Sequence, residues 1–383
     1  MRMRRVWQSI SLGLLVAVFL VSGVAGVTEQ GRAMVKALLF IPQILPSVPV
    51  RPQEWLVTAP THQEVRFPVG GAEAVADLYL PADGGRHPAV VLFLGVVPAG
   101  RDDPRVVDLA RGLARSSMAV MIPWSNVMIT SRRLDPEAVD LLVGAFQYME
   151  KNPAVDPRRI GMGGFCVGAS FATLAAEDPR IRERVAYVNS FGGWYDARDL
   201  LVAIASRTRS YGEEAQPWMP REDTREVFAV HLIEGLPNLS EREALSRVFL
   251  KGGPAEEVSP ALLSEQGRTV YRLLSGVTVE EARSLLNSLP AGFRSELERM
   301  SPSTGIGGLK APVLIMHDRE DAAVAAEESR RLAEALEGRG RVHYTEFSLF
   351  QHVDPTRPLA PPEMARESWK LLMHMYNIMR LGA

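Results

Sequence analysis

Cysteine is almost absent: Cys166 is the only one in 383 residues. An internal disulfide is therefore excluded, and so is any zinc or iron–sulfur site built from several thiolates. Excess charge of either sign is also lacking, since 43 Lys and Arg face 45 Asp and Glu for a formal net charge of -2. Without a broad basic field nothing attracts phosphate backbones, and a nucleic-acid partner is not expected. The 7 histidines include no pair at ligand spacing beside a carboxylate cluster, so neither a metal nor another cofactor is expected. Repeats and low-complexity tracts are missing as well. What remains, 46% hydrophobic and 23% charged residues, is ordinary for a folded chain and excludes disorder, collagen and coiled coil.

The one long uncharged run lies at the amino terminus. Met1 to Arg5 is basic, and the 23 residues from Val6 to Thr28 carry no charge. Residues 1–28 have two readings. As a signal anchor, about 20 apolar helical residues cross a hydrocarbon core of about 30 Å, with the arginines holding the start in the cytoplasm. As a signal peptide, Gly23-Val24-Ala25 supplies the small residues of a cleavage site. The run exceeds the roughly 7–15 residues of a signal core, which favours the anchor. Either way the remainder is exported, as a membrane-anchored extracytoplasmic domain or as a secreted one. Residues 29–60 are expected to form a juxtamembrane linker or an arm packed on the domain, because Pro42, Pro46 and Pro49 interrupt the apolar stretch from Ala37 to Val50.

From residue 61 onward, short β-type runs alternate with helical patterns, the signature of a mainly parallel sheet with helices on both faces. Val65–Val69 and Ala76–Leu80 flank Gly70-Gly71 as an antiparallel pair, and Ala89–Leu94 is an apolar run suited to a buried strand. The first part of this core spans 61–198 and the second 306–383. Between them, 199–305 reads as an inserted helical lid, with Ser240/Glu243 and Thr278/Glu281 placed as capping boxes.

Gly164-Phe165-Cys166-Val167-Gly168 stands between a strand and an Ala-rich helix, where a nucleophile elbow sits. A strained turn exposes the thiol, and residues two places before and after it must be small to let strand and helix approach. The helix start offers N–H groups and a positive dipole end to a developing anion. At this point the chain resembles the α/β-hydrolase fold, and within it the dienelactone hydrolase-like group, whose elbow carries Cys where most relatives carry Ser. The likeness covers 64–197 and 309–380.

The resemblance implies an acid in the loop after the late strand Pro312–Met316, where the family pattern H-G-x-x-D-x-x-V falls on His317 to Val324 and assigns Asp321. Asp318 stands where the pattern has glycine, and Asp318 and Glu320 are the fallback acids. His352, just past the last strand in Phe350-Gln351-His352-Val353-Asp354, is the candidate base; His343 lies within a strand and His317 has no catalytic part in the family. The oxyanion hole of this fold would use the amide of Val167 and a second amide at Gly95 or Val96. Dienelactone hydrolases carry a Glu three residues before that glycine to activate the thiol; here Leu92 occupies the position.

These readings converge on an α/β hydrolase that cleaves a small-molecule ester, lactone or thioester with Cys166, Asp321 and His352, through a thioester acyl-enzyme. Two alternatives are a non-catalytic protein of the same fold that binds a ligand or partner at the membrane, and an acyltransferase.

Overall fold

The computed structural model describes residues 28–45, 48–96, 100–340 and 342–382. The expected anchor or signal segment lies outside them but for its last residue, Thr28. Among the described residues, no helix is long and apolar enough to cross a membrane.

Ten strands are described: β1 Thr61–Val69, β2 Ala72–Leu80, β3 His87–Phe93, β4 Ala119–Pro123, β5 Val155–Phe165, β6 Val188–Phe191, β7 Thr208–Tyr211, β8 Glu214–Pro217, β9 Val313–Asp318 and β10 Val342–Phe347. Eight of them form one sheet in the order β1-β2-β4-β3-β5-β6-β9-β10. The β1–β2 and β2–β4 pairs are antiparallel and every later pair is parallel. This order, with its antiparallel start and parallel remainder, is that of the α/β-hydrolase fold. The first hairpin closes at Gly70 and Gly71, both at positive φ, where a side chain would be strained.

Two apolar layers sandwich the sheet. On one face lie α5 (Ala138–Lys151) and α6 (Val167–Glu177), joined by the segment inserted between β6 and β9. On the other lie α1 (Glu29–Ile44), α3 (Pro104–Arg115) and α14 (Pro361–Leu381). Two short helices, α2 (Pro52–Leu56) and α4 (Asn126–Ser131), complete the chain order before α5. β3 is buried along its whole length, as a central strand covered on both faces must be.

Two segments differ from expectation. Residues 29–44, read as linker, form a helix capped by Thr28, whose hydroxyl accepts from the Gly31 amide. Its Ala33, Ala37 and Phe40 are buried against α3 and α14, so a helical stripe outweighs the prolines. Pro42 sits in the last turn, so it forgoes one amide hydrogen bond to Leu38 and leaves the rest of the helix ladder intact. Gly112 of α3 makes the approach possible: a Cβ there would stand 2.9 Å from Gln43 Cγ.

The insertion carries α7 (Ala197–Ser206), α8 (Glu222–Glu234), α9 (Leu239–Phe249), α10 (Glu265–Ser275), α11 (Val279–Ser288) and α12 (Ala291–Arg299). It is not wholly helical, because β7 and β8 pair as an antiparallel hairpin turning at Gly212. Thr278 caps α11 as its spacing predicts, but α9 is capped by Asn238, whose side chain accepts from Ser240 N, rather than by Ser240. The core resumes with β9, α13 (Ala326–Ala335), β10 and α14.

Candidate active site

Cys166 occupies the junction of β5 and α6 at φ 53° and ψ -125°, a strained backbone for a residue with a Cβ. Its own amide is tied to the Phe191 carbonyl of β6 at 2.8 Å, and its carbonyl accepts from Ala169 N, which fixes the turn from both sides. The flanking glycines are required by contact. A Cβ on Gly164 would lie 2.2 Å from the Gly168 backbone, and one on Gly168 would lie 2.0 Å from the Phe93 carbonyl oxygen. The thiol remains half-exposed at the first turn of α6, facing a cavity that His352 also lines.

His352 follows β10 at φ 63°, again left-handed. Its backbone N–H donates to Asp318 Oδ2 at 3.2 Å, and its Nδ1 lies 2.7 Å from Asp321 Oδ2. Asp321 is fully buried in the β9–α13 loop, and its Oδ1 accepts from the amides of Ala323 (2.7 Å) and Val324 (3.1 Å). Burial opposes its charge, but His352 and His317 outweigh that and hold the carboxyl far below the usual range. Burial likewise works against a charged His352, yet the Asp321 carboxylate and the adjacent Cys166 raise the imidazole well above its ordinary value. Nδ1 is engaged by the carboxylate, and the ring lies beside the Cys166 sulfur.

The two fallback acids have other partners. Asp318 is buried and takes the Arg357 guanidinium at 2.7 Å besides the His352 amide, so it positions the histidine loop. Glu320 is exposed and pairs with Arg209. His317 is fully buried, with Nδ1 2.6 Å from Ser329 Oγ and Nε2 2.9 Å from the Val324 carbonyl, and buttresses the acid loop. His343 is half-buried within β10.

The loop after β3 lies across the elbow. Gly95 has φ +67°, and a Cβ on it would stand 2.7 Å from Val167 Cβ and 3.0 Å from Gly168 N. This contact sets Gly95 against the first turn of α6, beside Cys166, and Val96 lines the same cavity. Leu92 is buried in β3 and forms part of the cavity wall.

Several contributors lie outside the motifs. Gly192, at φ +66°, passes beneath the histidine: a Cβ there would meet His352 Cε1 at 3.4 Å and Asp321 Oδ2 at 3.6 Å. The insertion binds the acid loop directly. Trp218 Nε1 donates to the Asp321 carbonyl at 2.8 Å, Arg221 N to that of Ala322 at 2.7 Å, and Thr224 Oγ1 to that of Ala323 at 3.1 Å. Gly192-Gly193 is a local turn signal, whereas the three insertion contacts join segments about a hundred residues apart and carry none.

No family model matches the chain. A probable 2-oxo-3-(5-oxofuran-2-ylidene)propanoate lactonase from Bradyrhizobium sp is 33% identical over 132 residues, 30% of this chain and 52% of that protein. The chain thus spans about half the length of this curated relative. Among solved structures, a thermophilic carboxylesterase from a metagenomic library has TM-score 0.49 at 15% identity, covering 85% of this chain and 91% of that one. A Pyrobaculum calidifontis esterase has TM-score 0.48 at 15% identity, covering 94% and 97%. The strand order described above, not these superpositions, carries the fold assignment.

Proposed function

We propose that the protein is a hydrolase of carboxylic esters, lactones or thioesters, acting through Cys166, His352 and Asp321. The observation that carries the reading is the Asp321–His352 pair, 2.7 Å apart and buried, set beside a thiol on a strained glycine-flanked turn. Local sequence likeness to a lactonase supports the same reaction class. Hydrolysis by a dienelactone hydrolase-like enzyme without the thiol-activating Glu assigns the proton transfer to His352 alone.

In this account the thiol proton resides on His352 Nε2 and the thiolate of Cys166 adds to the carbonyl carbon. The tetrahedral oxyanion is held by amides of Val167 and of Gly95 or Val96. Collapse forms the thioester and expels the alkoxide, which takes the proton from Nε2. Water then gives a proton to the neutral imidazole as its oxygen adds to the thioester, and the second collapse releases the acid and restores the thiolate–imidazolium pair. Asp321 holds the ring through Nδ1 in every step.

The test is hydrolysis of p-nitrophenyl butanoate by the wild type and by Cys166→Ala and His352→Ala. Each substitution is expected to lower kcat/KM by at least about a hundred-fold; full activity in either variant refutes the triad. Export, with attachment through residues 1–28, belongs to the same proposal and rests on the basic start and the apolar run. Amino-terminal sequencing of the mature protein that begins near Gly26 would replace the anchor with a cleaved signal.

A further inference from the structure

The cavity that reaches Cys166 and His352 has a volume of about 550 Å³ and is lined both on the insertion side, by Trp194, Leu200 and Phe228, and on the sheet face beneath α1, α3 and α14. Its lining includes the charged residues Arg105, Arg132, Arg221 and Glu226. Its interior follows the sheet face beneath α1, α3 and α14. Val90, Leu92 and Gly163 form the floor, Leu113, Met375 and Ile378 the roof, and Met118 and Tyr187 the far end. Met118 and Tyr187 stand just before β4 and β6, at the amino-terminal ends of these strands and so at the opposite end from the catalytic loops. The path from Phe191, which holds the Cys166 amide, to Tyr187 is four strand residues, about 13 Å.

Three features indicate that this space belongs to a ligand. Gly163 has no conformational need to be glycine, since its backbone is not left-handed and a Cβ would make only ordinary contacts, 3.5 Å to Leu92 Cδ1 and to Val90 Cγ2. Its missing side chain keeps the floor open beside the nucleophile. The end is closed by contrast, because the Tyr187 ring lies over Gly161, where a Cβ would come within 2.3 Å. Leu92 adds apolar wall, and of the interior polar groups Asn189 is engaged by His374 at 3.0 Å, the Tyr187 hydroxyl by Met118 Sδ at 3.6 Å and Gln43 Nε2 by Glu54 at 3.5 Å, leaving Gln43 Oε1 without a partner. Water needs several polar partners to occupy such a space, and an empty apolar cavity of this size is costly.

We propose that the tunnel binds an unbranched aliphatic acyl chain, so that the substrate is a medium- to long-chain acyl ester or thioester whose carbonyl rests at Cys166. The binding site is argued from its geometry; the acyl linkage rests on the hydrolase reading. The test uses the full chain carrying Cys166→Ala and displacement of a fluorescent fatty acid by carboxylates from butanoate to hexadecanoate. Affinity is expected to rise about three- to four-fold per added methylene and to level off once the chain reaches Tyr187. Ile378→Trp on α14 and Leu113→Trp on α3, each checked for folding by thermal melting, are expected to bring that plateau to shorter chains. Dodecanoate binding no better than butanoate, or a plateau that neither folded variant moves, overturns the tunnel. In the wild type, cleavage of short p-nitrophenyl esters with flat chain-length binding overturns the tunnel and leaves the hydrolase reading standing. Chain-length-dependent binding without cleavage of any ester supports the tunnel and removes the hydrolase reading.

Discussion

His352 shows how much of this site depends on single backbone positions. A left-handed φ turns its amide to Asp318 while its ring meets Asp321, so one residue is held through main chain and side chain by two carboxylates with different tasks. Motif spacing points to Cys166, Asp321 and His352 because each sits in a short local pattern. It cannot divide labour between Asp318 and Asp321, which depends on Arg357 arriving from beyond the histidine. A second buried acid makes a separate prediction. Glu177 ends α6 with Oε1 unpartnered, and burial raises its carboxyl to about 9 from 4.5. A folded-state value above the unfolded one contributes stability that is complete below about pH 4.5 and is lost as the pH rises towards 9. Glu177→Gln removes this dependence. Its melting temperature is expected to exceed that of the wild type by several degrees at pH 8 and to match it near pH 4; equal melting temperatures at both pH values would show that burial does not perturb Glu177.

Among the elements, the inserted segment acts on the site through the Trp218, Arg221 and Thr224 contacts to successive carbonyls of the acid loop. Trp218→Phe keeps the ring's packing and removes one hydrogen bond worth about 1 kcal/mol. A fall of roughly three- to ten-fold in kcat/KM is expected, mostly in kcat, since the residue positions Asp321 and does not line the cavity. Steady-state kinetics with a short ester checks it, and an effect confined to KM would place Trp218 in substrate binding instead. The central strands β3 and β4 are legible in sequence because they are buried apolar runs. The β7–β8 hairpin is not: β7 is half-buried along its length and β8 is exposed, so neither shows the alternation that marks a strand. The cap of α9 was misplaced for a related reason, since Asn238 and Ser240 both suit that role and only the chain's direction into the helix selects between them.

At the scale of the whole molecule, one face of the sheet is completed by the first and last described helices. Ala33, Ala37 and Phe40 of α1 repeat at helical spacing, a stripe present in the sequence but overridden by the nearby prolines when the segment is read as linker. The cavity had no such signature, because its walls come from α1, α3, α14 and the sheet, which meet only in three dimensions. A chain beginning at residue 61 would lack α1 and expose the apolar surface of α3 and α14 that it covers. Such a chain is expected to melt well below one beginning at Thr28 and to bind a hydrophobic dye; equal melting temperatures would reduce α1 to an appendage. The account as a whole depends on a covalent bond at one sulfur. Wild-type protein mixed with p-nitrophenyl butanoate and quenched in acid during turnover is predicted to carry one butanoyl group, mapped by peptide mass spectrometry to Cys166. Ester turnover with Cys166 unmodified, continuing undiminished in Cys166→Ala, would contradict it.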